Sequence, residues 1–270
     1  ASLRKKDLVE TTDTQILRMS SGEIISINPA TMAEVGRAPI LSALEVNVAV
    51  ENARSAQPAW AALSFKERAG YILKAKDLLL EQQDEICELI SREVGKPRVE
   101  ALAGEILPVA NLMDYFARGS AKLLRDEQFT LSVFRNKKSR ISFHPLGVVG
   151  IISPWNYPFS IPTGEVVMGL MAGNAVLLKP SEYTPMVGLK IGELFRAAGL
   201  PDGILQVLTG DGSTGAALVE SAIDKIFFTG SVRTGKTIAA AAARRLMPFV
   251  LELGGKDAMI VCGDAPFERA

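Results

Sequence analysis

The first part of the chain carries the hydrophobic pattern of amphipathic helices. Between about residues 42 and 124, apolar residues recur at intervals of three and four, which places them on one helical face. Ser42–Glu45 and Ser64–Glu67 have the spacing of capping boxes, so each predicts the start of a helix. Gly95–Pro97 predicts the end of the second helical stretch, and a further helix is expected after it.

A β-hairpin is predicted after this helical part. Phe129–Arg135 and Ser139–Phe143 alternate apolar and polar residues, and Asn136–Lys138 lies between them. The hairpin would connect the helical part to the rest of the chain.

Beyond Gly147 the pattern changes to short apolar runs that alternate with helical segments. The runs that we predict as strands are Val148–Ile152, Ala175–Leu178, Ile204–Leu208, Lys225–Phe228, Phe249–Leu253 and Met259–Cys262. The helices that we predict between them span 163–172, 185–198, 213–221 and 233–245. Continuously apolar strands that alternate with helices are typical of a doubly wound α/β fold, whose mostly parallel sheet is covered on both faces. Ligands bind such a sheet at the carboxyl ends of its strands, so sites are expected directly after the runs.

Composition and charge narrow the class of protein. Of the 270 residues 48% are hydrophobic and 22% charged, as in ordinary globular proteins, and 30 basic residues balance 30 acidic ones. Neither nucleic acid nor an anionic membrane surface is therefore expected as a partner. The longest uncharged stretch, Leu146–Gly164, contains three prolines and is not predicted to span a membrane.

The cysteines and the single histidine argue against a metal site. Cys87 and Cys262 lie far apart, and neither has metal-ligand spacing around it. We expect both thiols to be free, as in a reducing compartment, and no secretory signal is recognised. The sequence thus predicts a cytoplasmic protein.

Two glycine-rich motifs compete as nucleotide-binding sites. Gly210–Gly215 matches G-x-G-x-x-G, but it follows the third predicted strand, and Asp224 comes too early to be the usual ribose-binding acid. Gly230–Thr237 matches the phosphate loop of ATP- and GTP-hydrolysing proteins, in which Lys236 would contact phosphates. That motif comes late in the chain and has no convincing acidic partner strand. In either case Ser231 is placed to cap a helix whose exposed amides can bind an anion.

Four motifs at predicted strand ends resemble, in this order, the NAD(P)-dependent aldehyde dehydrogenase superfamily. They are Ser153–Pro158 (SPWNYP), Lys179–Glu182 (KPSE), Phe228–Ser231 (FTGS) and Leu251–Lys256 (LELGGK). The resemblance runs from about Asn28 to Asp264. It implies a Rossmann-like sheet, NAD or NADP as cofactor, and oxidation of an aldehyde to a carboxylic acid through a cysteine thioester.

The resemblance also implies roles for individual residues. Asn156 resembles the donor to the oxyanion, and Glu252 the general base that activates water for thioester hydrolysis. The cofactor-binding residues that it implies are Ile152, Ser153, Pro154, Trp155, Lys179, Ser181, Glu182, Gly210, Gly230, Ser231, Thr234, Leu253 and Gly254. The carboxylate of Glu182 should repel a 2′-phosphate, which favours NAD over NADP. The structural alternatives are a turn-capping Asn156, a surface ion pair of Lys179 with Glu182, and a Glu252 buried among backbone amides.

The nucleophile of the family is not matched in this sequence. That cysteine lies some tens of residues beyond the position of Glu252, and neither cysteine of this chain matches its motif. The resemblance therefore implies the cofactor-binding portion of such an enzyme, inactive alone and able to use an aldehyde only with a second, catalytic domain. A phosphate-loop NTPase and a non-catalytic NAD-binding subunit remain alternatives.

Four units follow from this interpretation. They are a helical segment at 1–126, a hairpin arm at 127–146, the Rossmann-like NAD-binding core at 147–253, and the start of a catalytic domain at 254–270. The protruding hairpin at 129–143 is expected to join copies of the chain into a homo-oligomer.

Overall fold

The computed structural model describes residues 17–20, 22–133, 136–266 and 268. The strands are β1 (Leu17–Ser20), β2 (Glu23–Ile27), β3 (Glu34–Pro39), β4 (Glu127–Phe129), β5 (Ser139–Ile141), β6 (Val148–Ile152), β7 (Ala175–Lys179), β8 (Leu205–Val207), β9 (Lys225–Gly230) and β10 (Phe249–Leu253). The helices are α1 (Ala43–Ala62), α2 (Phe65–Glu81), α3 (Gln83–Val94), α4 (Arg98–Ala101), α5 (Leu107–Leu123), α6 (Ser160–Met171), α7 (Pro185–Ala197), α8 (Gly212–Glu220) and α9 (Val232–Arg244). A π-helical turn, Leu102–Ile106, lies between α4 and α5.

The central sheet has five parallel strands in the order β10-β9-β6-β7-β8. Helices α6 and α7 pack on one face, where α2, α3 and α5 form a further layer. Helices α1, α8 and α9 cover the other face. Strands β6 and β7 are buried almost throughout, as expected when both faces are covered. The prediction of a doubly wound α/β fold is confirmed.

The order of the strands reverses next to β6. The chain runs outward from β6 through β7 to β8, and then returns by α8 to β9 on the other side of β6. The crevice at such a reversal, at the carboxyl ends of the strands, is where doubly wound sheets bind ligands. The topology therefore directs attention to the segments that follow β6, β9 and β10.

Both predicted capping boxes are present. The Ser42 hydroxyl accepts a hydrogen bond from the Glu45 amide at 3.4 Å, and the Glu45 carboxylate accepts one from the Ser42 amide at 2.8 Å. Ser64 and Glu67 repeat this exchange at the start of α2. Gly95, in the left-handed region at φ 80°, ends α3 as predicted, but the stretch predicted as one helix from Ser64 to Val94 is divided at Gln82 into α2 and α3.

Helix α6 starts at Ser160, three residues earlier than the predicted 163. Its cap comes from a distant residue: the Glu105 carboxylate accepts hydrogen bonds from the Phe159 amide at 2.8 Å and the Ser160 amide at 3.2 Å. No local residue caps α6. A start that depends on a tertiary contact carries no local sequence signal, which explains the difference.

The antiparallel sheet of β1, β2 and β3 was not predicted from the sequence. Buried Glu93, at the end of α3, connects this sheet to α7. Its carboxylate accepts hydrogen bonds from the Ser26 hydroxyl on β2 at 2.7 Å and from the amides of Met186 and Val187 at 2.9 and 2.8 Å. One carboxylate thus caps α7 and fixes the N-terminal sheet against the helical layer.

The predicted hairpin exists but is shorter than expected. Glu127–Phe129 pairs with Ser139–Ile141 in an antiparallel two-stranded sheet. Residues 130–133 are not in a strand, and Phe134 and Arg135 lie outside the described residues. An isolated pair of strands has no second layer to bury its apolar side chains, which limits its length.

The prediction of a strand at Met259–Cys262 is wrong. These residues have no regular secondary structure, and Ile260 is 86% exposed. An apolar run becomes a strand only where a neighbour supplies hydrogen bonds and a face to cover it, and none of the described strands lies beside this one.

The two cysteines are both free, Cys87 buried and Cys262 exposed. Burial raises the pKa of the Cys87 thiol, which makes it less reactive. Across the described residues, the helices are too short or too polar for any of them to cross a membrane.

Candidate functional site

A cleft of about 580 Å³ lies at the carboxyl ends of β6, β9 and β10. This is the position that the reversal of strand order predicts for a ligand. The residues that line the cleft are Pro154, Trp155, Asn156, Ile161, Glu165, Thr229, Gly230, Ser231, Glu252, Leu253 and Gly254. Eight of these were predicted as site residues from the sequence, and the structure brings them together from three strand ends.

Asn156 presents its side-chain amide to this cleft. Its Oδ1 accepts a hydrogen bond from the Tyr157 amide at 3.1 Å, which assigns the oxygen and leaves Nδ2 as the donor. In the described part of the chain Nδ2 has no hydrogen-bond partner. The side chain can therefore donate to an oxygen in the cleft, although the same contact also gives it the turn-forming role of the structural alternative.

Glu252 lies opposite, near the end of β10. Its side chain is exposed and lines the cleft, and its Cα pairs in register with that of Thr229 on β9. The alternative of a glutamate buried among backbone amides is therefore wrong. A carboxylate in this position can accept a proton from water or from a ligand in the cleft.

Glu165 is a third functional group of the cleft, and sequence reasoning missed it. It projects from α6, and its Oε2 is buried without a hydrogen-bond partner among the described residues, as is Oγ1 of Thr229. Burial, and secondarily the negative charge of Glu252, raise the pKa of Glu165 to about 8, while the neighbouring Thr229 hydroxyl opposes this. Glu165 is the only charged residue between Leu146 and Leu178, a signal that could have revealed it.

The N-terminus of α9 faces the same cleft. Ser231 caps it, its hydroxyl accepting a hydrogen bond from the Thr234 amide at 3.1 Å and donating to the Thr234 hydroxyl at 3.0 Å. The first amides of the helix and its dipole make this end suitable for an anion. Thr234 supports the cap and is not among the residues that line the cleft.

The phosphate-loop match at Gly230–Thr237 does not form a phosphate loop. Strand β9 ends at Gly230 and α9 already begins at Val232, so that the residues which would wrap a phosphate are helical. Lys236 is exposed on this helix, and the Thr237 hydroxyl donates to the backbone oxygen of Arg233 at 3.3 Å. A helix lacks the loop of convergent amides that such a motif needs.

The end of β7 carries a second group of the predicted residues. The Lys179 ammonium lies 3.2 Å from the Glu182 carboxylate, and its side chain is only 4% exposed, so the alternative of a surface ion pair is wrong. Asp211, the cap of α8, lies nearby: hydrogen bonds from Ser213 lower its pKa, and the charge of Lys179 contributes. The Ser181 hydroxyl is occupied in a turn, where it accepts from the Tyr183 amide at 3.3 Å.

The other predicted residues lie outside the cleft. Ile152 is half-buried at the end of β6, and buried Ser153 donates its amide to the Lys179 carbonyl at 3.1 Å, which ties the ends of β6 and β7 together. Gly210 has φ 153°, and a Cβ there would lie 2.0 Å from the Thr214 hydroxyl. Its role in the structure is a tight turn before α8.

None of the described residues forms a cluster of three or more metal-ligating side chains. What the site offers instead is an open helix N-terminus, a buried lysine paired with a half-buried glutamate, and a cleft with an amide and two carboxyl groups. A doubly wound parallel sheet with these features at its strand ends defines a dinucleotide-binding α/β protein of the Rossmann-like class.

Comparison with known proteins identifies the family. The aldehyde dehydrogenase family profile matches residues 17–270, and the chain belongs to this family. It is 40% identical over 249 residues to a 4,4'-diapolycopene aldehyde oxidase of Methylomonas, a match that covers 92% of this chain and 47% of that protein.

Solved structures of similar proteins support the same family assignment. An aldehyde dehydrogenase of Mycobacterium tuberculosis complexed with NAD+ is 35% identical with a TM-score of 0.83, covering 88% of this chain and 49% of that one. An NADP-dependent enzyme of E. coli is 34% identical with a TM-score of 0.82, covering 86% and 48%. The chain spans about half the length of the relatives that it matches. It has the NAD(P)-binding fold of this family.

Proposed function

We propose that this chain is the cofactor-binding part of an aldehyde dehydrogenase that oxidises an aldehyde to a carboxylic acid through a cysteine thioester. The observation that carries the proposal is the cleft that Asn156, after β6, and Glu252, on β10, both line. The thiol would come from the part of the family's length that this chain does not span. We call the polypeptide that includes that part the complete enzyme.

The residues present fit a nicotinamide dinucleotide. The N-terminus of α9, with Gly230 and Ser231, would hold the pyrophosphate, and buried Lys179 with half-buried Glu182 would bind the adenosine ribose. Thr229 also lines the cleft, where its hydroxyl lies beside the Glu165 carboxyl and adds a polar group to the surface that a polar ligand would cover. When bound, the cofactor supplies an acceptor for the hydride that leaves the aldehyde carbon.

We further infer that NAD is preferred to NADP. The carboxylates of Glu182 and Asp211 both lie near Lys179, so a 2′-phosphate on the ribose would meet two negative charges for one positive charge. Like charges that are brought close together at an interface cost on the order of several kcal/mol of binding free energy.

In the reaction the two sides of the cleft have different tasks. The Asn156 Nδ2 would donate a hydrogen bond to the aldehyde oxygen as negative charge develops on it. The Glu252 carboxylate would accept a proton from the water that hydrolyses the thioester. Gly254, which has open space around its Cα, would let this strand end pass close to the ligand.

Further proposals concern the assembly. The pair β4–β5 would join a second copy of the chain, since Phe129, Ile141 and Phe143 expose apolar surface there. We also propose a cytoplasmic location and the four units given above, at 1–126, 127–146, 147–253 and 254–270.

Titration of the chain with NAD, NADP and Mg-ATP tests the proposal. NAD should bind, Lys179→Ala should weaken it by at least 10-fold, and Lys236→Ala should leave it unchanged. Glu182→Gln should narrow the gap between NAD and NADP. Binding of Mg-ATP that Lys236→Ala abolishes, without binding of NAD, would instead support a nucleotide hydrolase.

A further inference from the structure

The segment Asn156–Ser160 is held at both ends by one ion pair from the helical layer. Lys96 lies between α3 and α4, and Glu105 lies in the π-helical turn before α5. Their charged atoms, Lys96 Nζ and Glu105 Oε1, are 2.6 Å apart, and the two side chains are 11% and 0% exposed. Neither residue belongs to the sheet that forms the cleft, and neither lines it.

Lys96 fixes the start of the segment. Its ammonium donates a hydrogen bond to the backbone oxygen of Asn156 at 2.8 Å and lies 3.9 Å from the centre of the Tyr157 ring. The Glu105 carboxylate and the Asn156 carbonyl accept from two of its three N–H groups, and the Tyr157 ring covers the charge in a cation–π contact. The backbone carbonyl of Asn156, next to the Cα that carries its side chain, is thereby held by a charged donor with little access to water.

Glu105 fixes the end of the segment. Its Oε2 accepts from the amides of Phe159 and Ser160, at 2.8 and 3.2 Å, and thus supplies the cap that α6 lacks locally. The π-helical turn brings this carboxylate inward, and Gly104 in the same turn leaves room for Tyr157, whose ring would lie 3.3 Å from a Cβ there. Only three residues separate the two anchored points, Asn156 and Ser160.

A segment so short, anchored at both ends, has little freedom to move the backbone that carries the Asn156 side chain. Stabilising an oxyanion depends on a donor that is in place before charge develops. A displacement of about 1 Å can cost about 100-fold in rate. The anchors therefore fix the position of Asn156 before charge develops, and its proposed role requires this.

We propose that Lys96 and Glu105 are positioning residues that set the orientation of the Asn156 amide in the cleft. This rests on the proposed function for its kinetic consequence. Neither residue touches the ligand space, so the pair acts through the backbone of residues 156–160.

The test uses Lys96→Met and Glu105→Gln, with Lys76→Met as the matched control. Lys76 also forms an ion pair in the helical layer, with Asp114 at 2.9 Å, but it makes no contact with the segment. In the complete enzyme Lys96→Met and Glu105→Gln should each lower kcat by about 10- to 100-fold, with KM changed less than about threefold. Lys96→Arg should recover part of the loss, and Lys76→Met should behave as wild type.

A double-mutant cycle shows whether the pair acts through Asn156. In an Asn156→Ala background, Lys96→Met should lower kcat less than about twofold further, because the side chain that it positions is gone. The proposal would be overturned if the losses of kcat in Lys96→Met and Asn156→Ala were fully additive. It would also be overturned if Lys96→Met and Glu105→Gln behaved like Lys76→Met. In the 270-residue chain, Glu105→Gln should accelerate amide hydrogen exchange at Phe159 and Ser160 at least 10-fold, while its melting temperature stays equal to that of Lys76→Met. Unchanged exchange at these two amides would also overturn the proposal.

Failure of the proposed function gives a different result. If wild type neither binds NAD nor oxidises aldehydes, the function is wrong, and the exchange rates of Phe159 and Ser160 still decide whether the pair holds the segment.

Discussion

Replacing Glu165 by glutamine should change how the stability of this chain depends on pH. Glutamine has the shape of the glutamic acid side chain but cannot ionise. In the folded chain Glu165 has a pKa raised from 4.5 to about 8, mainly by burial, with the charge of Glu252 contributing. Between these values the folded state therefore keeps a proton that the unfolded state releases.

The sign and size follow from this shift. A raised carboxyl pKa gives stability that is fully present below pH 4.5 and is lost as the pH rises to about 8. At about 1.4 kcal/mol for each pKa unit, the loss amounts to at most about 5 kcal/mol. Water that reaches the cleft would reduce it, so we expect a change of about 2–5 kcal/mol.

Urea unfolding from pH 4.5 to 8.5 measures this quantity. The free energy of unfolding of wild type minus that of Glu165→Gln should fall steadily over the range. In a Glu252→Gln background the fall should be complete at lower pH, because the neighbouring negative charge is removed. Glu51→Gln, which removes an exposed carboxylate on α1, is the control. A difference between wild type and Glu165→Gln that does not depend on pH would refute the reasoning.

Substitutions at four further residues test other parts of the structure. Glu93→Ala leaves three hydrogen-bond donors without their acceptor and should lower the free energy of unfolding by about 3 kcal/mol, with a smaller loss in Glu93→Gln, both measured in urea. Ser231→Ala removes the cap of α9 and should cost about 1 kcal/mol while weakening NAD binding; unchanged affinity would contradict the proposed pyrophosphate site. Gly210→Ala should cost about 2 kcal/mol or more in thermal unfolding because φ is 153° and the Cβ meets Thr214, whereas Gly254→Ala, with open space, should cost little.

The elements that could be predicted from the sequence are those whose signals are local. The capping pairs Ser42–Glu45 and Ser64–Glu67 and the five parallel strands were predicted because each signal lies within a few residues of the element it forms. Once the strands were placed, the rule that ligands bind at carboxyl ends located Asn156, Ser231 and Glu252 in one region. The roles assigned to them came from the family resemblance, not from the pattern.

The features that were missed depend on contacts across the fold. The start of α6 at Ser160 and the orientation of the Asn156 segment depend on Glu105, whose place in a buried turn no local pattern indicates. The opposite error occurred at Met259–Cys262, where a local pattern was present but no neighbouring strand. Pattern alone predicts what a segment can form, and its neighbours decide whether it does.

The two sides of the cleft differ in how firmly this chain holds them. On the β6 side, Lys96 and Glu105, joined to each other by an ion pair, anchor the segment of Asn156 with three hydrogen bonds from a buried layer. On the other side, β10 is an edge strand paired only with β9, and the Glu252 side chain makes no hydrogen bond within the described residues. The amide can thus be in place before a ligand arrives, whereas the carboxylate is free to turn. This difference suits the proposed chemistry, because a donor to a developing charge must be fixed, while a base that acts on a mobile water benefits from reach.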